Sequence, residues 1–272
     1  MSLSKKIDFA IIIGVKNANP NGDPLNGNRP RTNYDGFGEM SDVCIKRKIR
    51  NRLMDNGQAI LVQSDDYRND EYRSIKDRYD NLAKTWPKTK ESEARAASAC
   101  ATWFDVRAFG QVLAGVDETN ASIAVRGPVS IQSAFSVEPV DISSMQITKS
   151  VNLNTNKKDP SQKSADTMGM KHRVDHGTYV TYGSINRQLA SKTGFSDSDA
   201  EILKAAMVQL FENDESSARP AGSMEVIKVI WWTHENRVES SAKVHRSLVV
   251  NPDGSYELAP LDGVEVQEID AV

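Results

Sequence analysis

The 272-residue sequence lacks several features that mark whole classes of protein. It contains two cysteines, Cys44 and Cys100, far apart in the chain, and this favours buried or free thiols over a disulfide. No apolar run approaches the roughly 18 residues that a membrane-spanning helix needs. The apolar run near the N-terminus is interrupted by Asp8 and is followed by no small-residue cleavage site, so we expect no export signal. These features predict a cytoplasmic protein with no membrane partner.

Signatures of catalysis are also scarce. The sequence has no Gly-rich phosphate loop ending in Gly-Lys-Ser/Thr and no Gly-x-Ser-x-Gly nucleophile motif. His172 and His176 have a spacing that would hold a metal on a helix, but Gly169 and Gly177 disfavour a helix there. We therefore expect a protein that is not an enzyme and that uses neither a metal nor a cofactor.

The charge distribution is uneven although the net charge is only −3. Residues 29–52 contain seven basic and three acidic side chains, whereas residues 251–272 contain six acidic side chains and no basic one. Phosphate binding draws on clustered Lys and Arg, so the first segment is a candidate for binding nucleic acid. The acidic segment is interpreted as a solvating tail or as a contact for a basic face of a neighbouring subunit.

A loop rich in amides follows the first apolar segment and starts like a calcium loop, with Asn17, Asn19 and Asn21 at positions one, three and five. Position twelve is Asn28, where a calcium loop needs a bidentate Glu, so calcium is disfavoured. Amide side chains both donate and accept hydrogen bonds, which suits phosphates, 2′-hydroxyls and base edges of RNA. A plain turn built on Asn and Pro is the alternative interpretation.

Hydrophobic periodicity predicts an α+β fold. A central strand is predicted at Ile7–Val15, and a helix from Ser41 or Asp42 should bury Ile45, Ile49 and Leu53. Helical segments are expected over 66–86 and 91–104, and strands over 122–135, 145–148, 178–182 and 224–232. Phe195 and Ser196, with Asp199 three residues later, predict another helix start. Residues 152–173 are polar and predict a long exposed excursion.

An ordered set of motifs carries a family resemblance. The set consists of the Asn17–Pro24 loop, Asp105–Gly110, Gly127-Pro128-Val129, Ser144–Thr148, Met168–His172 and Ala218-Arg219-Pro220. Together these motifs resemble the type I-C CRISPR Cascade backbone subunits, with the sister type I-B subunits as the nearest alternative. The resemblance implies a modified RNA-recognition-like (ferredoxin-like) palm over residues 1–272, with a helical finger insertion at 64–102 and a thumb β-hairpin at 151–173.

The function implied by the resemblance is binding of a CRISPR guide RNA without catalysis. Copies of the subunit would form a helical filament on the guide, and each thumb would displace a base at regular intervals. The guide would then pair with target DNA in antiviral defence. Implied partners are neighbouring copies, guide-processing, large and small Cascade subunits, and indirectly a recruited nuclease-helicase. The alternatives are a type III-like subunit that cleaves RNA through Asp23 or Asp35, and an interaction module without RNA.

Candidate RNA-binding residues come from the amide loop, the basic segment and the predicted thumb. In the thumb, basic side chains would neutralise phosphates and Met168 or Met170 would press against an unstacked base. On the helix from Ser41, the alternative to a phosphate groove is a solvated face, and Arg107 could instead pair with Asp105. The full set is Asn17, Asn19, Asn21, Arg29, Arg31, Lys46, Arg47, Arg50, Arg107, Lys149, Lys157, Lys158, Met168, Met170, Lys171, His172 and Arg173.

Overall fold

The computed structural model describes residues 2–86, 92–113, 123–148, 155, 157, 161, 168–235 and 238–271. The strands are β1 (Ile7–Ala18), β2 (Gly22–Asp23), β3 (Arg29–Pro30), β4 (Phe37–Met40), β5 (Gly110–Leu113), β6 (Ile123–Arg126), β7 (Val129–Ile131), β8 (Ala134–Pro139), β9 (Ile142–Thr148), β10 (Met168–Ile185), β11 (Met224–His234), β12 (Leu248–Val250), β13 (Tyr256–Leu258) and β14 (Val264–Asp270). The helices are α1 (Asp42–Asp55), α2 (Ile75–Ala83), α3 (Ser92–Thr102), α4 (Phe104–Phe109), α5 (Arg187–Thr193), α6 (Asp197–Val208) and α7 (Ser241–His245). The fold is therefore mixed, as predicted.

The main sheet is antiparallel and has the strand order β14-β11-β1-β10-β8-β4. Strand β1 pairs with β10 on one side and with β11 on the other, so the strand predicted at Ile7–Val15 is central. It is covered on both faces, which explains why its sequence is almost continuously apolar rather than alternating. β7 and β9 pair with β10 as additional strands.

One face of the sheet packs against helices α1 and α6. Phe9, Ile11 and Ile13 point to this side and belong to the same buried cluster as Ile45, Ile49 and Leu53 of α1. Ser41 caps α1, and the helix ends at Asn56 before Gly57, which has a positive φ of 79°. The predicted start of α6 is confirmed, because Ser196 and Asp199 form a capping box.

The other face is covered by α7 and the β12–β13 hairpin. Ala10, Ile230 and Trp232 are buried there together with Val244 and Leu248. Asp8 is fully buried beside them, and its Oδ2 lies 2.7 Å from His234 Nε2. Burial alone would raise the pKa of Asp8, but hydrogen bonds from His234, Ser241 and Lys6 outweigh burial and lower it. The sheet consequently has an ionised carboxylate in its interior.

A second small core lies beside the sheet, in the segment predicted as a finger. Tyr79 of α2 and Cys100 of α3 are buried with Leu61 and Trp103. The helix predicted over 66–86 begins only at Ile75. Asp70 and Arg78 form an ion pair across the preceding turn, and Arg78 also donates to the carbonyl oxygens of Leu61 and Tyr72. These bonds hold residues 66–73 in an irregular loop.

The described residues contain no helix long and apolar enough to cross a membrane. The boundaries predicted for the finger and the thumb stay predictions. The finger range includes residues 87–91, and the thumb range includes 151–154, 156, 158–160 and 162–167, all of which lie outside the described residues.

Candidate nucleic-acid interface

A two-stranded ribbon extends from the sheet. Its arms are Ile142–Thr148 of β9 and Met168–Val174 of β10, paired from Ile142↔Val174 to Thr148↔Met168. The ribbon begins nine residues before the predicted start of the thumb at Val151. β1 pairs with β10 only from Val174 onward, so the ribbon continues beyond the sheet. Lys149 and Lys158 lie outside the described residues, and Lys157 is exposed.

The two faces of the ribbon carry different side chains, because residues that are directly opposite share a face and successive residues alternate. One face, here the His172 face, presents Met168, Met170 and His172. The other, here the Lys171 face, presents Lys171 and Arg173 with Met145 and Ile147. Met168 is 65% and Met170 is 54% exposed. The candidate wedge residues Met168 and Met170 and the candidate phosphate ligands Lys171 and Arg173 therefore lie on opposite faces of the ribbon.

The amide loop uses most of its side chains to hold itself together. Asn19 is 3% exposed, and its Nδ2 donates to the carbonyl oxygen of Asn28 over 2.6 Å. Asn21 Oδ1 accepts hydrogen bonds from the backbone N–H and the hydroxyl of Ser41, both at 2.9 Å, and so joins the loop to the start of α1. Asn17 is exposed and has a positive φ of 56°, which Asn tolerates. We correct the prediction for Asn19 and Asn21, which are structural, and keep Asn17.

Arg29 and Arg31 lie on one face of the chain that runs through β3, beside a polar cavity of about 130 Å³. Arg31 Nη2 is 3.4 Å from Asp23 Oδ1. The same carboxylate oxygen accepts the backbone N–H of Leu25 and caps a short 3-10 helix. Arg29 Nη1 donates to Ser144 Oγ of the ribbon over 2.9 Å. This segment therefore places the guanidinium group of Arg29 at the base of the ribbon, with Arg31 beside the same polar cavity.

The basic side chains of α1 differ in their availability. Lys46 pairs with Asp42 at 2.9 Å, and Arg47 pairs with Asp66 at 3.2 Å, both in partly or fully exposed positions. Arg50 is 13% exposed and pairs with the buried Asp105 at 3.0 Å, with Phe109 against its guanidinium. Asp105 also accepts the backbone N–H groups of Leu61 and Val62. Lys46 and Arg47 remain candidates for phosphate binding, but Arg50 is part of the folded core.

Arg107 is not at this surface either. Its guanidinium donates to Asp199 Oδ1 over 2.8 and 3.1 Å, so the alternative pairing with Asp105 is wrong. Burial would raise the pKa of Asp199, but hydrogen bonds from Arg107 and Ser196 lower it overall. Arg107 thus connects α4 to the capping box of α6, a pairing across 92 residues of sequence.

His172 and His176 both lie in β10, about 13 Å apart at the rise per residue of a strand, which is too far for one metal. Within the described part of the chain, no group of three or more His, Cys, Asp or Glu side chains is placed to hold a metal. Two further residues at the surface have no local sequence signal that marks them as site residues. Ser144 contacts both Arg29 and His172, and Tyr34 is fully exposed in a turn held by Asn33.

Comparisons with known proteins agree on one family. A family model described as CRISPR-associated protein Cas7 matches residues 5–269. The CRISPR-associated protein Cas7 of Haloferax volcanii is 24% identical over 237 residues, which cover 82% of this chain and 68% of that protein. Among solved structures, a chain of a CRISPR RNA-guided surveillance complex in a pre-nicking state matches with a TM-score of 0.53 and 18% identity, covering 88% of this chain and 81% of its own. A chain of another CRISPR RNA-guided surveillance complex matches with a TM-score of 0.46 and 19% identity, covering 92% and 77%.

Proposed function

The chain belongs to the CRISPR-associated Cas7 family, and on that premise we propose that it is the guide-RNA-binding backbone subunit of a type I-C surveillance complex. The observation that carries the proposal is the family match, which extends over nearly the whole chain. In this function the protein is non-catalytic and cytoplasmic, and copies of it polymerise along one guide. The ordered set of motifs from the Asn17–Pro24 loop to Ala218-Arg219-Pro220 supports subtype I-C, and subtype I-B is the nearest alternative.

The ribbon is the proposed thumb. Its exposed Met168 and Met170 share a face with His172, so an unstacked base can lie against two flexible apolar side chains next to a polar ring. Apolar side chains pressed between bases are a recurrent way of unstacking nucleic acid. Lys171 on the opposite face can neutralise a phosphate of the same guide or of a neighbouring turn. In this proposal one face of the ribbon displaces a base and the other face binds phosphate.

The main sheet is the proposed RNA-recognition-like palm. The order β11-β1-β10-β8, with α1 after β1 and α6 after β10, supports a ferredoxin-like arrangement. The sheet face away from α1 and α6 is covered by α7 and the β12–β13 hairpin, with Trp232 buried beneath them. That cover favours binding of RNA by backbone and shape rather than by stacking of bases on the sheet. A subunit that serves every guide sequence needs such binding.

The assembled guide is proposed to pair with target DNA in antiviral defence. The partners are then the guide RNA, neighbouring copies, the guide-processing, large and small subunits of the complex, and indirectly a recruited nuclease-helicase. The predicted RNA contacts at Lys149, Lys157 and Lys158 belong to this proposal, together with Asn17, Arg31, Lys46, Arg47, Met168, Met170, Lys171, His172 and Arg173.

Expression of the full chain with a guide RNA tests the proposal. We expect the purified protein to retain the guide, and the logarithm of its affinity to fall linearly with the logarithm of salt concentration. Retention of no nucleic acid would refute the proposal in favour of an interaction module. Incubation with complementary RNA and Mg²⁺ addresses the cleaving alternative. Regularly spaced cuts that disappear in Asp35→Asn or Asp23→Asn would contradict the non-catalytic function.

A further inference from the structure

The direction of the ribbon has to be fixed by contacts near its base. The ribbon exposes apolar side chains on both faces, with Met145 and Ile147 on one and Met168 and Met170 on the other. An isolated two-stranded ribbon is marginally stable and flexible in water. A thumb that displaces a base at regular intervals must nevertheless meet the guide at one angle. The side chains that join the ribbon to the rest of the protein are therefore important for its position.

One such connection passes through a single hydroxyl group. Arg29 Nη1, from β3, donates to Ser144 Oγ over 2.9 Å, and the same oxygen lies 2.8 Å from His172 Nδ1. Ser144 and His172 are directly opposite each other in the ribbon. Arg can only donate hydrogen bonds, so the hydroxyl proton of Ser144 is available to His172 Nδ1. The single hydroxyl of Ser144 thus connects Arg29 to the ring of His172.

We propose that Arg29, Ser144 and His172 form a brace that sets the angle of the ribbon, and that Arg29 is a positioning residue rather than a phosphate ligand. The brace ties both strands of the ribbon to β3, which is distant in sequence from both. The proposal rests on the proposed function, because it explains how the thumb is held against the guide. It also replaces the expectation from sequence that Arg29 contacts RNA directly.

The two roles of Arg29 predict different salt dependences. Loss of a phosphate ligand lowers the slope of log affinity against log salt by about 0.7 on single-stranded nucleic acid. Loss of a brace leaves the slope unchanged but removes the displacement of bases. A fluorescent 2-aminopurine in the guide reports that displacement, because the base becomes brighter when it is unstacked. Arg31, two residues further along the same face and paired only weakly with Asp23 at 3.4 Å, is the matched control.

The experiment compares the full chain assembled on a 2-aminopurine guide with Arg29→Gln, Ser144→Ala and the double variant. We expect each to lose most of the periodic 2-aminopurine signal, the double variant to lose no more than either single variant, and the salt slope to stay at the wild-type value. Ser144→Thr retains the hydroxyl and should restore the signal. Arg31→Gln should lower the slope and keep the signal.

A lowered salt slope in Arg29→Gln, with a normal signal in Ser144→Ala, would overturn the brace and make Arg29 a phosphate ligand. Additive losses in the double variant would also overturn it, because residues in one brace cannot act independently. Wild-type protein that retains no guide, or gives no periodic signal, refutes the proposed function instead. The two failures are therefore distinguishable.

Discussion

At the scale of single residues, burial decides which charged side chains are available to bind a ligand. Arg47 is 56% exposed, and its pairing with Asp66 lies in solvent, where such pairs are weak. Arg50 lies one helical turn away from Lys46, yet its partner Asp105 is almost completely buried. A cation that is paired with a buried anion is needed for stability, because removing the cation would leave the anion unpaired in the interior.

Arg50→Met should therefore destabilise the protein by about 3 kcal/mol, the magnitude typical of breaking a buried pair. Arg47→Met is the matched control, and we expect it to cost less than about 1 kcal/mol because the pair is exposed. Denaturant unfolding of the free protein measures both. Equal stabilities of the two variants would show that Asp105 is sufficiently stabilised by the N–H groups of Leu61 and Val62. Variants that test RNA binding by α1 should consequently alter Lys46 and Arg47 but retain Arg50.

The stability of the protein should also depend on pH through His245. Burial lowers the pKa of His245, although Asp8 nearby acts in the opposite direction. The ring stacks on Tyr182 with centroids 4.9 Å apart, and Lys6 adds a further positive charge near it. Below about pH 6.5 the unfolded chain binds a proton that the folded protein resists. The free energy of unfolding should thus decrease as the pH falls from 6.5 toward the lowered pKa.

This decrease is at most about 1.4 kcal/mol per pH unit, the value for one proton. Denaturant unfolding at pH 7.5, 6.5 and 5.5 measures it, and His245→Phe, which keeps a ring on Tyr182, should flatten the dependence. Asp8 affects stability in a lower pH range. Because its pKa is lowered, its contribution to the free energy of unfolding is complete above about pH 3.9 and is lost as the pH falls through the lowered pKa. An unchanged pH dependence in His245→Phe would assign the decrease to other groups.

For single residues, the sequence indicates which residue types form the candidate site better than it indicates what each of them does. The Asn17–Pro24 loop was predicted to present its amides to RNA, but the amides of Asn19 and Asn21 bond within the protein, as the alternative of a plain turn implies. No local pattern predicts that Asn21 accepts hydrogen bonds from Ser41 or that Arg107 pairs with Asp199. These partners become neighbours only when the sheet and helices have packed. Burial of a polar side chain is a tertiary property.

At the scale of elements, the ribbon offers a comparison within one structure. Met168 and Met170 lie on the His172 face, whereas Met145 and Ile147 lie on the other face of the same two strands. Substitution by Ser removes comparable apolar surface from either face without touching the sheet core. The proposed wedge requires only the first pair.

Met168→Ser with Met170→Ser should therefore reduce the periodic 2-aminopurine signal of the bound guide, because a small polar side chain cannot keep an unstacked base in place. The matched control is Met145→Ser with Ile147→Ser, which we expect to retain the signal. Circular dichroism and thermal unfolding confirm that both variants are folded. Loss of the signal in the control alone would assign the wedge to the Lys171 face.

The elements themselves were predictable where a local signal sets their ends. Helix α1 begins as predicted, because Ser41 caps it, and it ends where a glycine with positive φ follows its C-cap. Helix α2 starts nine residues later than the predicted segment, because side-chain bonds of Arg78 compete with the helix. Most residues of β9 are exposed on both faces, so its sequence lacks the alternation that marks a half-buried strand.

At the scale of the whole molecule, the acidic last strand and the strand that leads into the basic helix lie at opposite ends of the sheet. Strand β14, with its acidic residues, is at one end of the strand order, and β4, which leads directly into α1, is at the other. Five strand spacings separate the two ends, about 24 Å. This distance is several times the Debye length of about 8 Å at physiological ionic strength. The sequence indicated the charge asymmetry, but only the strand order places the acidic strand β14 and the start of the basic helix at opposite edges of the sheet.

Neutralising the acidic end should therefore affect guide binding only when salt is low. In the triple variant Glu257→Gln, Asp262→Asn and Glu265→Gln, all three altered side chains are exposed. We expect the salt slope around 0.15 M and the affinity at 0.15 M salt to be close to wild type. Near 0.01 M salt the affinity should rise above wild type, so the slope steepens only there, because the Debye length at that salt concentration is about 30 Å. Lys46→Gln with Arg47→Gln should instead lower the slope by up to about 1.4, since two phosphate contacts are lost. Filter binding across a salt series measures both variants. A lowered slope in the acidic variant, or loss of assembly at 0.15 M salt, would mean that the acidic edge contacts a neighbouring subunit directly and does not act through its distant field.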